Sequence, residues 1–405
     1  MADNDTIAGP SPHWAAARQQ RRTAMLQRLV RHLADGTTDL ARGGPMPLDA
    51  RAFTDPARFD LERRELFLKR PVLAALSRDI PEPGDTLLFE DLGPSIVLVR
   101  NEERKVRAFL NMCAHRGAKV VTECDRKRRL TCRFHGWTFD LDGKLAGIPG
   151  AEGFAGIDRE QRGLVPVPVG EWKGMIFVQG EPGTQEIDVE AHLGDFAPVV
   201  AELELHLAKP VKSGIIDAAA NWKYVNDTFC EGYHFATLHA KSIARIAVSN
   251  VMAYTAYGAN HWMATCRADF RELVGKPQHE WPDFNYGGLF FFFPNATLNV
   301  SPIKGGSEFY GLSRVFPGGS VGVSRTLMTT YRPGHANPDA DDALWADMQD
   351  FVENVVRTED CSVSRDGQHN LQYAPPGFHA LIGANEIAVQ GVHRNIQAVV
   401  DGATG

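Results

Sequence analysis

The chain has 405 residues, 43% apolar and 23% charged, with 43 Lys and Arg against 50 Asp and Glu for a net charge of −7. At about 150 residues per domain this length predicts two or three domains able to enclose a pocket, which excludes a small disulfide scaffold or a lone zinc finger. The acidic balance excludes nucleic acid as the main partner. Six cysteines are too few for a disulfide framework and place the chain in a reducing, cytoplasmic setting. Asp3 and Asp5 in a start without an apolar segment argue against a secretory signal, and no apolar run approaches the roughly 18 residues of a membrane span.

From His13 to Leu33 the apolar residues recur at helical spacing, predicting an amphipathic helix that ends near Asp35-Gly36. Gly, Pro and Ala density from Thr38 to Pro56 predicts a surface excursion, and Pro81 to Gly84 a turn. Thr86 to Phe89, Ser95 to Arg100 and Val106 to Asn111 read as strands, and short strands with turns such as Asp142-Gly143 continue to about Val178. That spacing is the pattern of a small all-β domain. A boundary falls near Glu181 to Gly183. Beyond it, strands at Gly287 to Val300, Glu308 to Phe316 and Ser324 to Tyr331 accompany helices at Trp222 to His239 and from Asp339 to about Asp366, an α+β pattern with an antiparallel sheet. The expected division is a helical segment over 1–50, a β domain over 51–180 and an α+β domain over 181–405.

Two Cys/His pairs, Cys113-Ala-His115 and Cys132-Arg-Phe-His135, stand sixteen residues apart, each on a turn after a strand. One reading is a structural Cys₂His₂ zinc site, but zinc fingers keep two Cys together and then two His on a helix. The other is a [2Fe-2S] cluster in which two Cys hold one iron and two His the other. The text C-A-H-R-G-A and C-R-F-H-G-W, Cys113 to Ala118 and Cys132 to Trp137, resembles the Rieske family. Gly117 and Gly136 would let the loops approach the cluster. Ala118 and Phe134 occupy the positions of the extra disulfide of respiratory Rieske proteins, so the resemblance is to the oxygenase and ferredoxin branch. Cys124, Cys230, Cys266 and Cys361 lack such a pattern and read as buried, inert thiols.

A Rieske ferredoxin needs only about 110 residues, so the chain after Glu181 requires its own explanation. His234 and His239 are five apart, about 140° out of register on a regular helix, so to share a metal the helix must end or bulge between them. Taken alone, the pair reads rather as two partly buried structural histidines. The stretch Asn221 to His239, with N-W-K, an acid, E-G-Y-H and a second His, resembles the iron-binding helix of Rieske non-haem iron oxygenases, the aromatic-ring-hydroxylating alpha subunits. That resemblance implies a facial triad of His234, His239 and a distant carboxylate. Glu359-Asp360, followed by Gln368, matches the family's C-terminal pair, which makes Asp360 the third ligand and Glu359 the alternative. Glu231, three residues before His234, takes the place of the acid that links an iron-ligand His to a cluster-ligand His. Many ring-hydroxylating members have Asp there, and Glu is typical of relatives acting on quaternary ammonium compounds. Thr228 stands where Asn is common and is given no role at the metal.

The resemblance implies a helix-grip (START/Bet v1-like) catalytic domain and reductive activation of O₂, with electrons relayed from the cluster to a mononuclear Fe(II) site. The substrate is a small organic molecule, aromatic by the main reading, that is hydroxylated or oxidatively demethylated; a quaternary ammonium compound is the alternative. No dinucleotide fingerprint or plant-type ferredoxin cysteine set is present, so the implied partner is a separate NAD(P)H-dependent reductase, with or without a ferredoxin. The resemblance also implies a head-to-tail homotrimer, with or without a beta subunit. Alternate Phe side chains in Gly287 to Pro294 either line an apolar cavity or pack the sheet. The rival readings are a zinc-stabilised ligand-binding protein and an electron-transfer protein whose large second domain only docks partners.

Overall fold

Hairpins shape the middle of the chain and a single large sheet shapes the rest. In the computed structural model, which describes residues 12–282, 286–303 and 307–404, contacts divide the chain after Glu62 and after His192, where the sequence reading puts limits at 50 and 180. One unit is Arg63–His192, and the other joins the chain before Arg63 to Leu193 onward. The N-terminal text therefore belongs to the second unit rather than standing apart. The loose start read for residues 1–11 lies outside the described residues. Among the described residues no helix is long and apolar enough to cross a membrane.

The first unit is mostly β, with short turns, one π segment and the start of a short helix at Val189–Leu193, and has three antiparallel three-stranded sheets. Thr86–Phe89, Ile96–Arg100 and Val106–Leu110 pair in chain order, within a residue or two of the expected strands. Leu130–Thr131, Thr138–Phe139 and Leu145–Gly147 form a second sheet, and Val72–Leu76, Met175–Val178 and Val169–Trp172 a third. Val97, Val99, Phe109, Leu130 and Phe139 form a buried core that also holds Cys113 and Cys132. Cys124 departs from the expectation: it is exposed, as is its surrounding text of charged residues, and its sulfur accepts the Leu88 N–H.

The second unit is built on a seven-stranded antiparallel sheet of β1 (Lys209–Ala218), β2 (Ala247–Tyr257), β3 (Asn260–Arg267), β4 (Gly288–Phe292), β5 (Ala296–Pro302), β6 (Glu308–Pro317) and β7 (Ser324–Arg332). Their order is β1-β7-β6-β5-β4-β3-β2. Its longer helices are α1 (Pro12–Asp35), packed on β2 and β3; α2 (Trp222–Phe229), against β6 and β7; α3 (Ala343–Val355), on β1 and β7; α4 (Cys361–Leu371), against α2; and α5 (Ile387–Thr404). Together the two units make an α+β protein, as expected.

Four local expectations change. The strand expected over Gly287 to Val300 is a hairpin, because Pro294 has no N–H for a ladder and Asn295 turns back to Phe292 O at 3.2 Å. Its phenylalanines pack the sheet: Phe290 stacks on Trp262, Phe291 on His261, and Phe292 meets Phe196 edge-on. The supposed surface excursion buries Ala50, Ala52 and Phe53, and its Met46–Asp49 strand pairs with His379–Ile382. The helix expected from Trp222 to His239 stops at Phe229, while the one near Asp339 runs from Ala343 to Leu371 with a π turn at Val356–Asp360.

Helix α1 is fastened by arginines. Arg21 pairs with Glu202 at 2.8 Å, and Arg22 with Glu308, both members of the latter pair being buried. Burial alone would raise the Glu308 carboxyl, but the His335 hydrogen bond and the Arg22 charge outweigh it and hold the group at about 2. That lies below the roughly 4.3 of an unfolded Glu. The contribution, about 3 kcal/mol, is therefore present above about pH 4.3 and lost as pH falls toward 2. Urea unfolding of Glu308→Gln is expected to show a flatter pH dependence in that window, and Arg22→Met, which strands a buried carboxylate, to lose about 3–5 kcal/mol at pH 7.

Candidate metal centres

The two Cys/His loops of the first unit are twins in the backbone. Cys113 O accepts from Gly117 N at 2.9 Å and Cys113 N donates to Ala118 O at 2.8 Å; Cys132 O accepts from Gly136 N at 2.9 Å and Cys132 N donates to Trp137 O at 2.8 Å. Each loop closes through a glycine with positive φ, 76° at Gly117 and 73° at Gly136, which is the conformational reason for glycine there. The two cysteines are buried. His115 and His135 lie with ring centroids 4.7 Å apart, and His115 stacks on Trp137 at 5.1 Å. Arg116 donates to His135 Nε2 at 2.9 Å and covers the Phe134 ring, which is exposed. Among the described residues, no three of these four donors lie within 4.8 Å of one another. A single zinc would draw all four to one point, whereas a two-iron cluster takes two donors at each iron. The donor set and its spread fit the cluster.

In the second unit, His234, His239 and Asp360 converge, the one such group among the described residues. His234 Nε2 stands 3.1 Å from His239 Nε2, and Asp360 Oδ1 lies 3.5 Å and 3.3 Å from them. Neighbouring donors around an ion about 2.1 Å away are roughly 3 Å apart, so these three atoms occupy one face of a coordination sphere. His239 and Asp360 are buried and His234 half-buried. Burial alone would lower the His234 imidazole, but Asp360 and Glu231 raise it to about 9; burial would raise Asp360, and the two imidazoles lower it.

Local structure explains the convergence. Helix α2 ends early because the Glu231 carboxylate accepts from the N–H groups of Tyr233 and His234, which in a continuing α-helix would go to Phe229 and Cys230 carbonyls. A 3₁₀ turn, Tyr233–Ala236, follows and brings both imidazoles to one side. The other Glu231 oxygen contacts His234 Nδ1, the contact expected from sequence, although here across a turn rather than along an α-helix face. Glu359, the alternative ligand in the sequence reading, points elsewhere: it accepts from His239 Nδ1 at 2.8 Å and Ser242 Oγ at 2.9 Å. Sequence reasoning missed this role and Ser242; the acid adjacent to Asp360 was the available signal. Asp227, also unassigned, accepts from His393 Nε2 at 2.8 Å. Gln368 accepts from Asn221 N at 2.9 Å and donates to Phe53 O, tying α4 to the start of α2. Thr228 only donates to Val225 O. Beside Glu231 and His234 opens a pocket of about 660 Å³, with Asp227 and Glu386 also in its wall and Tyr373, Phe378 and Leu381 at an exposed apolar rim.

A Rieske-type β unit joined to a helix-and-sheet unit with a two-histidine, one-carboxylate group defines a class, the terminal oxygenases with two metal centres. Residues 70–163 match the family model of the Rieske [2Fe-2S] domain and 205–402 that of the ring hydroxylating alpha subunit catalytic domain. The carnitine monooxygenase oxygenase subunit of Escherichia coli K12 is 33% identical over 266 residues, 64% of this chain and 68% of that one. The biphenyl dioxygenase alpha subunit of Paraburkholderia xenovorans LB400 is 30% identical over 204 residues, 47% of this chain and 44% of that one. The crystal structure of the quaternary ammonium Rieske monooxygenase CntA with L-carnitine superposes with a TM-score of 0.72 at 22% identity, covering 88% of this chain and 95% of that one. The chain belongs to the Rieske oxygenase alpha subunits, and is a terminal oxygenase with a Rieske [2Fe-2S] domain and a catalytic domain of the mononuclear non-haem iron type.

Releasing His239 from Glu359 tests the orientation argument. Glu359→Ala is expected to weaken Fe(II) retention 10- to 100-fold in chelator competition, with the cluster absorbance unchanged; unaltered retention would mean that the carboxylate does not hold the ring.

Proposed function

We propose that Cys113, His115, Cys132 and His135 hold the cluster, that His234, His239 and Asp360 hold the iron, and that the pair oxidises a small organic substrate by hydroxylation or oxidative demethylation. The observation that carries this reading is the convergence of two imidazole Nε2 atoms and one carboxylate oxygen, with both opposite Nδ1 atoms taken by acids. When bound, these groups supply one-electron delivery and reductive activation of dioxygen. The chain's own residues prepare that chemistry. Glu231 and Glu359 accept hydrogen bonds from Nδ1–H of His234 and His239, which favours the tautomer that turns each Nε2 lone pair toward the shared point when a metal is bound. Burial of His239 and Asp360 excludes bulk water from two of the three donors.

Glu231 is assigned to electron transfer rather than metal binding. The partner is a homotrimer ring in which the partner subunit's His135 meets Glu231. Support comes from complementary surfaces: the pocket beside Glu231 combines acids with an exposed apolar rim, and the His135 loop presents Arg116 and an exposed Phe134. Electrons reach the cluster from a separate NAD(P)H-dependent reductase, directly or through a ferredoxin, in a cytoplasmic setting. The relatives named for carnitine and glycine betaine support the second substrate reading, a quaternary ammonium compound.

Metal analysis separates the two sites. Asp360→Ala is expected to lose mononuclear iron and turnover while keeping the visible cluster spectrum, and Cys132→Ser to lose the spectrum; retention of full turnover in Asp360→Ala would remove the triad.

For the ring, His135→Ala and His234→Ala are each expected to be inactive, and their co-expressed mixed trimers, verified by mass, to recover activity. Mixed trimers as inactive as either parent would place electron transfer within one subunit.

A further inference from the structure

The chain is acidic overall, with a net charge of −7, yet the eleven residues from Glu123 to Arg133 hold five cations and two acids. This stretch is pinned to the strand Thr86–Phe89 and the turn before it. Thr86 N donates to Asp125 O at 3.0 Å, Lys127 N donates to Gly84 O at 2.8 Å, and a Cβ on Gly84 would collide with Lys127 O. Two of the cations have acid partners: Arg126 pairs with Asp85 at 2.8 Å and Lys127 with Asp125 at 2.9 Å. Arg128, Arg129 and Arg133 are exposed, and none of them has an ion pair or hydrogen bond among the described residues.

Their place in the fold gives these charges a target. Leu130 and Cys132 are buried while Arg129, Thr131 and Arg133 are exposed, the alternation of a strand with one side in the core. The same short segment therefore turns Cys132 inward and arginines outward. Arg129 is three residues from Cys132, so their Cα atoms cannot be more than about 11 Å apart. A charge run on a mobile loop is ordinarily a solvated face, but this one is held by backbone hydrogen bonds and keeps its positive field in one place. For an approaching acidic protein the molecule as a whole is repulsive, and a local positive face is what orients the encounter.

We propose that Arg128, Arg129 and Arg133 form the docking face for the electron-donor protein of the oxygenase reading above, on which the proposal rests, and that this donor presents an acidic surface around its redox centre. One electron passes from the donor's reduced centre to one ferric ion of the cluster, and no bond is made or broken. Arg128 and Arg129 precede the Cys132 loop, whereas Arg116 and Phe134 accompany His135. Donor docking and the contact with the neighbouring subunit thus draw on different residues.

The test is binding, with the oxidised holoprotein titrated by a plant-type [2Fe-2S] ferredoxin, an acidic one-electron carrier, in a calorimeter at low and high ionic strength. Binding is expected at low salt and to weaken about tenfold or more at high salt. Arg128→Glu combined with Arg129→Glu is expected to weaken low-salt binding at least tenfold, and Arg128→Gln with Arg129→Gln to weaken it by a smaller factor. In stopped flow, reduced ferredoxin is expected to bleach the cluster of the Glu variant about tenfold more slowly than that of the wild type. Photoreduced deazariboflavin, a small neutral reductant, is expected to bleach both within twofold. Ferredoxin binding by the Glu variant within twofold of wild type, binding indifferent to salt, or no binding by the wild type overturns the proposal. So does tighter binding of basic cytochrome c, of a DNA duplex or of a phosphatidylserine vesicle than of ferredoxin. Cluster absorbance keeps the two failures apart: its presence with a contrary binding pattern removes only the docking face, whereas its absence from the wild type removes the oxygenase reading. Absorbance and oligomer mass also show that the variants are folded, and the Gln pair gives the same comparison if the Glu pair is not.

Discussion

One carboxylate organises the catalytic unit. Glu231 takes two backbone N–H groups that an α-helix would have used, so the helix ends, and with its other oxygen it meets the imidazole that the new turn delivers. A hydrogen bond to a carboxylate is roughly twice as strong as one to a neutral carbonyl, which is why a side chain can outcompete the helix here. Chain direction and ring orientation are thus set by the same group. The opposing side repeats the arrangement with different means: Glu359 orients His239 from a helix that reaches across from the far end of the sequence.

The candidate metal ligands of the first unit were legible because their identity is chemically restricted. Few side chains bind metals, and mixed Cys/His pairs at Cys113, His115, Cys132 and His135 leave few alternatives, whereas His234, His239 and Asp360 were picked out only by the resemblance of their surrounding text to a family motif. The expected strands at Thr86, Ser95 and Val106 were equally readable, since turn text bounds each apolar run. What could not be read is whatever depends on contacts between distant segments. The helix end at Phe229 comes from a side-chain bond that propensity does not record, and nothing in the text before Asp360 announces a π turn. Strands β1, β2 and β3 escaped because their alternation is weak; β1 carries exposed and half-buried residues along most of its length. Phe53 is buried against the rings of Tyr224 and His393, which lie far away in the sequence.

The interior of the large sheet obeys a different logic. The phenylalanine run, which the sequence left between cavity lining and sheet packing, is consumed by ring contacts with Trp262, His261 and Phe196. Small residues are weak signals in a sequence, because Thr, Ser and Gly occur everywhere. Only the antiparallel register makes Thr297 and Ser313, or Asn299 and Gly311, adjacent.

The π turn at Val356–Asp360 carries a further consequence for how this helix can change. A π turn is an α-helix with one residue inserted, so the segment before it, which packs on the sheet, and the segment after it, which packs on α2, are phased by that single extra position. Deleting one residue between Val356 and Asp360 would restore regular winding and rotate everything beyond by about 100°, swinging the carboxylate away from both imidazoles while each half of the helix kept its own apolar stripe. In the descent of such a chain, this helix must keep its length as well as Glu359, Asp360 and Gln368. An indel here is inherited as loss of the site or not at all.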